Sequence, residues 1–492
     1  MTMNGLQATV RAIEDAGVRL RLYVPGYPVT DLAAALGCEI SINEKVALEI
    51  ALGGSATGQR SLVVVKQVGM NILADPLVIS ATHAIGSGVV VIVGDDLGPR
   101  GSQAEMDSRF YGPLSELPVL DPRSPAALYA SVLEAYTLSE WLRIPVLVRV
   151  TARLLAASGP EIAARPSPGN AQRFERENWS LTARGRHQRH HDRIMAFAEE
   201  ASESTTLNRI DISGNVGIIA SGFPASLAES LSVSLLTLGY SYPLPVKLIS
   251  RFMEGHRRIL VAEEPEPFIE SQLGASPKVR GKLSGHLPRG LLERSDIIRA
   301  IESLDSGPEK KPLDYESVAL RGYASICEGC PFVSIFSALA GIDAPVAGDA
   351  GCAIRATREP FDSADVVYGL GSSVGVASGF AEKGIALIGD FAIAHTGLAG
   401  LINALWQKRD VLVIVLKNDV AAMTGCQAAP DLTGVLKALV PTRLLEMPLP
   451  VDEIGSVINE ELKMPGPRAI VASGRCVKDK RGLPESRIAV KN

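Results

Sequence analysis

Residues 385–418 have the sequence IALIGDFAIAHTGLAGLINALWQKRDVLVIVLKN. Two short apolar runs, IALIGD from Ile385 and VLVIVLKN from Val411, enclose the segment TGLAGLINALWQ, which has helical spacing. The pattern predicts a strand, a crossover helix and a second strand parallel to the first, and such crossovers are right-handed and place the two strand ends close together. The fold around this stretch is therefore expected to be α/β.

A polar residue ends each of these two strands. Asp390 ends the first and Asn418 ends the second, 28 residues further along the chain. Ligands of open α/β sheets bind beyond the carboxyl ends of the strands, and carboxylate and amide oxygens suit Mg²⁺ that bridges to phosphates. Spacing alone leaves an alternative open, in which Asp390 caps the next helix and Asn418 forms a turn.

The same alternation of apolar runs and helical patterns recurs in the rest of the chain. It predicts doubly wound, mainly parallel sheets with helices on both faces. The predicted strands lie in RLRLYV from Arg19, SLVVVK from Ser61, VVVIVG from Val89, PVLVRV from Pro145, VGIIASG from Val216, RRILVAEE from Arg257 and AIVASG from Ala469.

The length of 492 residues is too great for one compact core and predicts about three domains of roughly 100 to 200 residues each. Two stretches differ in composition from the rest of the chain. The first, within 161–212, is charged and has helical spacing. The second, SLDSGPEKKPLDYES from Ser303, is rich in Pro, Gly and charge. We therefore predict two large domains that flank a smaller one. The boundaries are 1–160 for the first domain, 161–212 for a charged connector, 213–304 for the middle domain, 305–318 for a linker, 319–480 for the third domain and 481–492 for a tail.

Composition and charge exclude several classes of protein. Hydrophobic residues make up 46% of the chain and the formal net charge is -5, so there is no basic surface for nucleic acid. The apolar runs are shorter than the ~18 residues of a membrane span, and the start lacks the pattern of a signal peptide. Six dispersed cysteines fit a reducing compartment. We predict a cytoplasmic protein with neither nucleic acid nor membrane as a partner.

The spacing from Gly389 and Asp390 to Asn418 is similar to the thiamine diphosphate motif, in which a Gly-Asp pair precedes an Asn by nearly thirty residues. Longer segments match in order. The chain resembles the alpha subunit of indolepyruvate:ferredoxin oxidoreductase along nearly its full length, in GYPVTD from Gly26, INEKVALEIALGGSATGQR from Ile42, KQVGMNILADP from Lys66, VAEEPEPFIE from Val261, CEGCPF from Cys327, GDAGC from Gly348 and AAMTGCQ from Ala421.

This resemblance implies the thiamine diphosphate-binding fold, with thiamine diphosphate and Mg²⁺ as cofactors. It implies oxidative decarboxylation of a 2-oxo acid, an aryl pyruvate such as indolepyruvate, to an acyl-coenzyme A. It places the metal on Asp390, Asn418 and the backbone carbonyl of Val420. The other residues that it places at the cofactor are Gly351, Cys352, Gly371, Ser372, Gly375, Gly389, Phe391, Met423 and Thr424.

The resemblance also assigns catalytic roles. Glu44 is implied as the carboxylate that activates thiamine, because a carboxylate on N1′ of the aminopyrimidine shifts its tautomer. Thr30 and His395 are implied near the substrate, and Gln427 at the border of the site. From the residues alone, Glu44 is a solvated acid on a helix face and Thr30 an ordinary helix start. His395 is then a satisfied polar group, and the glycines at 351, 371 and 375 serve close packing.

The chain departs from the family pattern at substrate-side positions. Gln67 stands where the family has His, and Val29 where it has Gly; Lys417 replaces an Asp, and Glu328 and Phe332 alter a CPGCPH segment. The pair Cys327 and Cys330 has no second CxxC to match it, so a structural turn is favoured over a metal or redox pair.

The six cysteines are fewer than the eight needed for the two clusters of a ferredoxin-like region. We therefore expect no iron–sulfur cluster within this chain, and a separate ferredoxin or iron–sulfur protein and a beta-type subunit as partners. The resemblance places Glu44 and the metal ligands in different domains, which predicts a homo- or hetero-oligomer. Two alternatives remain: a non-oxidative 2-oxo acid decarboxylase or carboligase, and a catalytically silent paralogue that acts as a partner subunit.

Overall fold

The computed structural model describes residues 2–98, 102, 104–169, 171–274, 276–308 and 325–481. The chain divides into two compact units, Met1–Pro312 and Leu313–Asn492. The boundary between the units falls in the predicted linker 305–318, most of which lies outside the described residues, as does the predicted tail after residue 481.

The second unit contains a six-stranded sheet in which every neighbouring pair is parallel. The predicted strand–helix–strand stretch is confirmed, because Gly384–Gly389 and Val411–Lys417 are adjacent and Gly389 lies opposite Leu416. In spatial order the strands are Val366–Val367, Val346–Gly348, Gly384–Gly389, Val411–Lys417, Arg468–Ser473 and Thr442–Glu446.

The central strands Gly384–Gly389 and Val411–Lys417 are apolar along nearly their whole length because helices cover both faces of the sheet. Alternate side chains enter two separate cores: Leu387 and Ile414 pack in one with Phe336, while Ile388 and Val413 pack in the other. A strand buried on both faces has no polar alternation, which is the pattern of a parallel sheet. The helical segments are Val333–Leu339, Cys352–Arg355, Ser373–Ala377, Asp390–Ala392, a wide turn Ile393–Gly397, Leu398–Trp406, Thr433–Leu439 and Val451–Lys463.

The first unit contains a seven-stranded sheet that is parallel except at one edge, where Tyr240–Tyr242 pairs antiparallel with Val119–Leu120. The strands predicted from Ser61, Val89 and Pro145 all belong to it. In spatial order they are Tyr240–Tyr242, Val119–Leu120, Val146–Thr151, Val89–Asp95, Ser61–Lys66, Leu20–Tyr23 and Glu39–Ile40.

The first unit also contains a five-stranded sheet. It is parallel apart from its edge strand Arg209–Asp211, and it includes the strands predicted from Val216 and Arg257. In spatial order the strands are Val279–Arg280, Arg258–Ala262, Val216–Ser221, Ser234–Leu238 and Arg209–Asp211. A short antiparallel pair, Thr2–Asn4 with Ser158–Pro160, joins the two ends of the first predicted domain.

The helices of the first unit include the predicted connector, which is helical over Ala183–Arg189, the wide turn His190–Met195 and Ala196–Ser204. Single 3₁₀ turns occur at Gln67–Gly69, Ser108–Phe110 and Arg176–Ser180. The remaining helices are Gly5–Asp15, Thr30–Ala35, Glu44–Ala56, Met70–His83, Tyr111–Ser115, Pro125–Leu142, Ala152–Ala156, Phe223–Ala228, Val246–Glu254, Phe268–Gln272 and Arg294–Glu302.

Buried ion pairs connect the two sheets of this unit. Arg109 is fully buried and lies 2.8 Å from Oε2 of Glu263, which follows a strand of the five-stranded sheet. Arg149 of the seven-stranded sheet is buried too; it pairs with Asp95 of its own sheet at 2.6 Å and donates from Nη2 to Glu264 O, beyond the strand Arg258–Ala262, at 3.0 Å. A buried charge is tolerated only when it is paired, so these contacts fix where the two sheets meet.

None of the helices in the described part of the chain has the length and apolar character that a membrane span requires.

Candidate functional site

The carboxylate of Asp390 lies at the carboxyl end of the strand Gly384–Gly389. It holds the first residues of the loop that follows the adjacent strand, Val411–Lys417. Its Oδ2 accepts hydrogen bonds from the backbone N–H groups of Asn418 at 2.9 Å and Asp419 at 2.6 Å, and its Oδ1 accepts from Phe391 N–H at 2.8 Å. The structure thus brings Asp390 and Asn418 together, as the sequence predicts.

Asp390 is buried, and burial raises the pKa of its carboxyl to about 6 although three backbone N–H groups oppose the shift. Oδ1 of Asp390 accepts one hydrogen bond and therefore retains a free lone pair. A cation at this position would stabilise the charged form that burial disfavours. The donor set of Asp390 and Asn418 therefore fits Mg²⁺, which prefers oxygen ligands.

The loop that follows Asn418 is a short hairpin. The Oδ1 of Asn418 accepts a hydrogen bond from Val420 N–H at 3.0 Å, so the Asn does form a turn, and Val420–Ala421 pairs with Gln427–Ala428. Thr424 donates from Oγ1 to Oε1 of Gln427 at 2.9 Å, which closes the hairpin. Met423 lies in the same hairpin and is exposed.

A second buried carboxylate, Asp349, holds two neighbouring loops of this sheet together. Its oxygens accept from Gly371 N–H at 2.8 Å and Ser373 N–H at 3.1 Å. Burial raises the pKa of Asp349 to about 6, and the nearby His395 opposes that shift. The sequence prediction included Gly371 but missed Asp349, although its place after the strand Val346–Gly348 was an available signal.

The predicted cofactor-side glycines differ in their surroundings. Gly371 has φ +81°, and a Cβ there would lie 2.1 Å from Oγ1 of Thr396, so only Gly fits this turn. Ser372 uses its hydroxyl on Gly369 O at 2.8 Å within the same turn. Gly351 and Gly375 have open space where a Cβ would be.

Four cysteines lie around one cleft of this unit. Cys330 N–H donates to Cys327 O at 3.1 Å, so the CxxC forms the predicted turn. The cleft also contains Asn418, which places it beside the predicted metal ligands. Burial raises the pKa of the Cys352 thiol to about 12. The thiols that line the cleft belong to Cys327, Cys330, Cys352 and Cys476.

In the first unit, Glu44 is the first residue of the helix Glu44–Ala56, whose preceding residue Asn43 accepts Lys45 N–H at 2.8 Å. Glu44 is buried, which contradicts the solvated acid that the residues alone suggest. A Cβ at Gly69 would lie 2.4 Å from Oε1 of Glu44, so the carboxylate rests directly on the backbone of this glycine.

Lys66 is a residue of this site that the sequence prediction missed. Burial lowers the pKa of its ammonium group, and the carboxylates of Asp96 and Glu44 oppose the shift. Lys66 and Asp96 stand at or next to the ends of the adjacent strands Ser61–Lys66 and Val89–Asp95, where polar residues of open sheets collect. That placement was the signal available in the sequence.

Two substrate-side positions are closely constrained. Thr30 Oγ1 donates to Gly26 O at 3.0 Å and accepts Gly26 N–H at 3.2 Å, so it serves the helix start that the sequence offered as an alternative. Gln67 is buried and donates from Nε2 to Oγ of Ser102 at 3.3 Å. Its Oε1 has no hydrogen-bond partner among the described residues.

One family model matches part of the second unit. Residues 349–443 match the family model "Thiamine pyrophosphate enzyme, C-terminal TPP binding domain". A solved 2-oxoglutarate:ferredoxin oxidoreductase from Magnetococcus marinus is similar with a TM-score of 0.47 and 16% identity, over 62% of this chain and 65% of that one, a likeness too low to argue from.

Curated relatives match along most of the chain. The "Indolepyruvate oxidoreductase subunit IorA" of Methanothermobacter thermautotrophicus is 34% identical over 476 residues, 87% of this chain and 76% of the relative. Proteins with the same name from Archaeoglobus fulgidus and Thermococcus kodakarensis are 31% and 30% identical with the same coverage. The chain therefore belongs to the indolepyruvate oxidoreductase subunit IorA family of thiamine diphosphate enzymes.

Proposed function

We propose that this chain is the catalytic subunit that decarboxylates an aryl pyruvate such as indolepyruvate oxidatively and passes the acyl group to coenzyme A. The family gives the coarser activity, a thiamine diphosphate-dependent oxidoreduction of a 2-oxo acid. The observation that carries the proposal is the buried Glu44 carboxylate at a helix start, against the backbone of Gly69. Burial costs a carboxylate its hydration, and buried carboxylates cluster at catalytic sites, so this placement supports a role for Glu44 in proton transfer.

Thiamine diphosphate, when bound, supplies the carbon nucleophile and accepts the electron pair released with CO₂. Asp390, Asn418 and the carbonyl of Val420 would hold Mg²⁺ on the diphosphate, and the loops tied by Asp349 would border it. Glu44 would share a proton with N1′ of the aminopyrimidine. Lys66, close to Glu44, keeps the local charge near balance, so that this proton can move without leaving an isolated buried charge.

The partners in the proposal follow from the names of the relatives. A subunit that is called IorA implies a second, beta-type subunit, and we propose coenzyme A and a ferredoxin or iron–sulfur protein as the other partners. The cytoplasmic location and the oligomeric assembly stay predictions. Copurification of this chain with its native partners and sizing of the complex test them.

The main experiment is an anaerobic assay of the chain with Mg²⁺, thiamine diphosphate and a panel of 2-oxo acids, scored for acyl-coenzyme A, aldehyde and reduced viologen, with and without the native partners. We expect acyl-coenzyme A and reduced viologen once the partners are present, with aryl pyruvates preferred. Glu44→Gln should abolish turnover while thiamine diphosphate still binds. The matched control is Glu49→Gln on the exposed face of the same helix, which should change turnover little. Turnover unchanged in Glu44→Gln would refute the role of Glu44.

The route of the electrons is tested in the same preparation. The prediction of no iron–sulfur cluster in this chain relied on the number and spacing of cysteines, whereas four thiols lie around one cleft beside Asn418. Thiolates are the usual ligands of such clusters. The prediction would be overturned if iron and inorganic sulfide were present in the wild type and lost from Cys327→Ser. If both were absent from the wild type, a separate protein would have to accept the electrons.

A non-oxidative decarboxylase or carboligase is the second candidate. The observation that favours it is that the six cysteines are fewer than the eight needed for the two clusters that would accept electrons in an oxidative reaction. Aldehyde or acyloin from the chain alone, with neither acyl-coenzyme A nor reduced viologen when the partners are added, would support this candidate. No turnover of any 2-oxo acid with all partners present would support the silent paralogue.

A further inference from the structure

Two histidines of the connector meet a glutamate from another part of the first unit. His187 and His191 lie four residues apart, on Ala183–Arg189 and on the wide helical turn His190–Met195. Glu116 directly follows the helix Tyr111–Ser115 and has a left-handed backbone with φ 55°. None of these three residues belongs to the predicted thiamine site.

The distances between their polar atoms match those around one metal ion. Nε2 of His187 lies 3.2 Å from Nε2 of His191, which lies 3.2 Å from Oε1 of Glu116. The three ligand atoms lie within 4.8 Å of one another. Two atoms bound to one tetrahedral ion at 2.0 to 2.1 Å are about 3.3 Å apart. Two of the three pairs therefore stand at the separation of ligands that share an ion.

Hydrogen bonds alone satisfy this arrangement poorly. Nε2 of His191 faces both an imidazole nitrogen and a carboxylate oxygen. If Nε2 of His191 carries a proton, its N–H can donate a well-aligned hydrogen bond to only one of these two neighbours. If it carries none, its lone pair faces the carboxylate of Glu116. A cation between the three atoms would satisfy all of them at once.

A fourth side chain, His190, provides an independent observation. It is completely buried, and its Nε2 lies 3.3 Å from Oε2 of Glu116, the oxygen that does not face His191. Neither of its ring nitrogens has a hydrogen-bond partner in the described part of the chain. Contacts to the outer oxygen of a ligating carboxylate orient it in metal sites. The wide turn that brings His190 inward is a rare feature that occurs often at functional sites.

We propose that Glu116, His187 and His191 form a site for a divalent transition-metal ion of the zinc or nickel class, with an open coordination position. Imidazole ligands select such ions over Mg²⁺, which takes oxygen ligands. His187 and His191 are exposed, so the fourth ligand comes from solvent or from an external group. The ion would fasten the connector to the end of the helix Tyr111–Ser115, and we therefore assign it a structural role, independent of the thiamine chemistry.

The test uses the full chain without a histidine tag, saturated with Mg²⁺ and thiamine diphosphate, and titrated with Ni²⁺ and separately with Zn²⁺ by calorimetry. The wild type should bind one ion of either metal at this site and show a higher midpoint temperature of unfolding with the metal. The double variant His187→Gln/His191→Gln and Glu116→Gln should bind Ni²⁺ at least ~10-fold more weakly, because each removes a direct ligand. Both variants should lose the thermal shift.

The matched control is His83→Gln, which changes a histidine at the end of another helix of the same unit. It should bind Ni²⁺ as the wild type does. Equal Ni²⁺ affinity in the double variant and the wild type, or no binding of either metal by the wild type, would overturn the proposal. Because thiols also bind Zn²⁺, Zn²⁺ is titrated into the double variant Cys327→Ser/Cys352→Ser as well. We expect this variant to retain the thermal shift. Its loss would assign the ion to the cysteine cleft and contradict the proposal.

Discussion

The side chain of Glu44 occupies space that only a glycine leaves free at position 69. A methyl group on Gly69 would meet Oε1 of Glu44 at 2.4 Å, so Gly69→Ala must displace either the carboxylate or the turn that carries it. We expect turnover of the 2-oxo acid to fall about 100-fold, because a displacement of ~1 Å at a catalytic group costs about that much. Steady-state kcat with saturating cofactor measures it.

Gly53→Ala is the matched control for this substitution. Gly53 lies in the same helix as Glu44, is exposed and has nothing within 4 Å of the added methyl group. It should leave kcat unchanged and stabilise the protein by about 0.5 to 1 kcal/mol, since Ala is a better helix former than Gly. If Gly69→Ala kept full activity, the close contact would have no role in positioning Glu44.

Asp390 predicts a pH dependence of stability in the absence of metal. Burial raises the pKa of its carboxyl from 3.8 to about 6, so the folded chain holds a proton that the unfolded chain has released between those values. Stability from this group is therefore fully present below pH ~4 and is lost as the pH rises through about 6. Two pKa units correspond to about 3 kcal/mol.

Scanning calorimetry at pH 5 and pH 7.5, without Mg²⁺ or thiamine diphosphate, measures this dependence. Asp390→Asn should lose less stability than the wild type between pH 5 and pH 7.5. Asp343→Asn, on the surface of the same unit, should lose as much stability as the wild type. Adding the metal and cofactor at pH 7.5 should stabilise the wild type but not Asp390→Asn. The same decline with pH in Asp390→Asn as in the wild type would contradict the assignment.

The sequence was sufficient to infer that Asp390 and Asn418 meet, because one crossover helix separates the strands that they follow. Lys66 and Asp349 were not inferred. Their environments depend on residues from other strands and loops, such as Asp96 beside Lys66 and Gly371 beside Asp349, and no local pattern encodes those approaches.

At the scale of elements, one carboxylate connects the loops that follow two adjacent strands, Val346–Gly348 and Val366–Val367. Asp349→Ala leaves the N–H groups of Gly371 and Ser373 without their acceptor, at a cost of about 2 to 4 kcal/mol, partly offset because a buried carboxylate is also removed. We expect weaker thiamine diphosphate binding, which calorimetric titration measures, together with lower stability.

Asp365→Ala serves as the control for Asp349→Ala. Asp365 is exposed and accepts Val346 N–H at 2.7 Å, also from a backbone group of this sheet. Its loss should cost about 1 kcal/mol and leave the affinity for thiamine diphosphate unchanged. Equal cofactor affinity in Asp349→Ala and the wild type would mean that the hydrogen bonds of Asp349 do not contribute to cofactor binding.

The long central strands begin and end within a residue or two of their predicted positions, as Ser61–Lys66 and Val411–Lys417 show. They are continuous apolar runs, which is a strong local signal. The short strands Val119–Leu120, Val366–Val367 and Thr442–Glu446 were not predicted. A strand of two to five residues has no clear periodicity and depends on the neighbour with which it pairs.

At the scale of the whole molecule, the sequence suggested a middle domain at 213–304, separate from 1–160, while the chain contacts group both within Met1–Pro312. The strand Tyr240–Tyr242 lies inside the predicted middle domain and pairs with Val119–Leu120 of the first sheet. Contacts between residues more than a hundred positions apart leave no trace in a local pattern. The predicted domain boundaries therefore stay predictions.

The ion pair of Arg109 with Glu263 predicts that the two sheets of this unit unfold together. Glu263 is buried, accepts the Arg109 guanidinium at 2.8 Å and also accepts Ile269 N–H at 2.7 Å and Glu270 N–H at 2.8 Å. Glu263→Gln leaves Arg109 with Asp107 as its remaining carboxylate partner in the described chain, and should cost about 3 kcal/mol, since half-broken buried pairs are strongly destabilising.

Amide hydrogen exchange distinguishes a cooperative unit from two independent sheets. In Glu263→Gln the strands Val89–Asp95 and Arg258–Ala262 should lose protection by a similar factor, although only the second lies next to the substitution. Asp305→Asn, which weakens the pairs of the exposed Asp305 with Arg257 and Arg258, should change protection little because surface pairs contribute at most about 1 kcal/mol. Lost protection in Arg258–Ala262 alone would mean that the five-stranded sheet opens by itself, and that the buried arginines position it without making its unfolding cooperative with the first sheet.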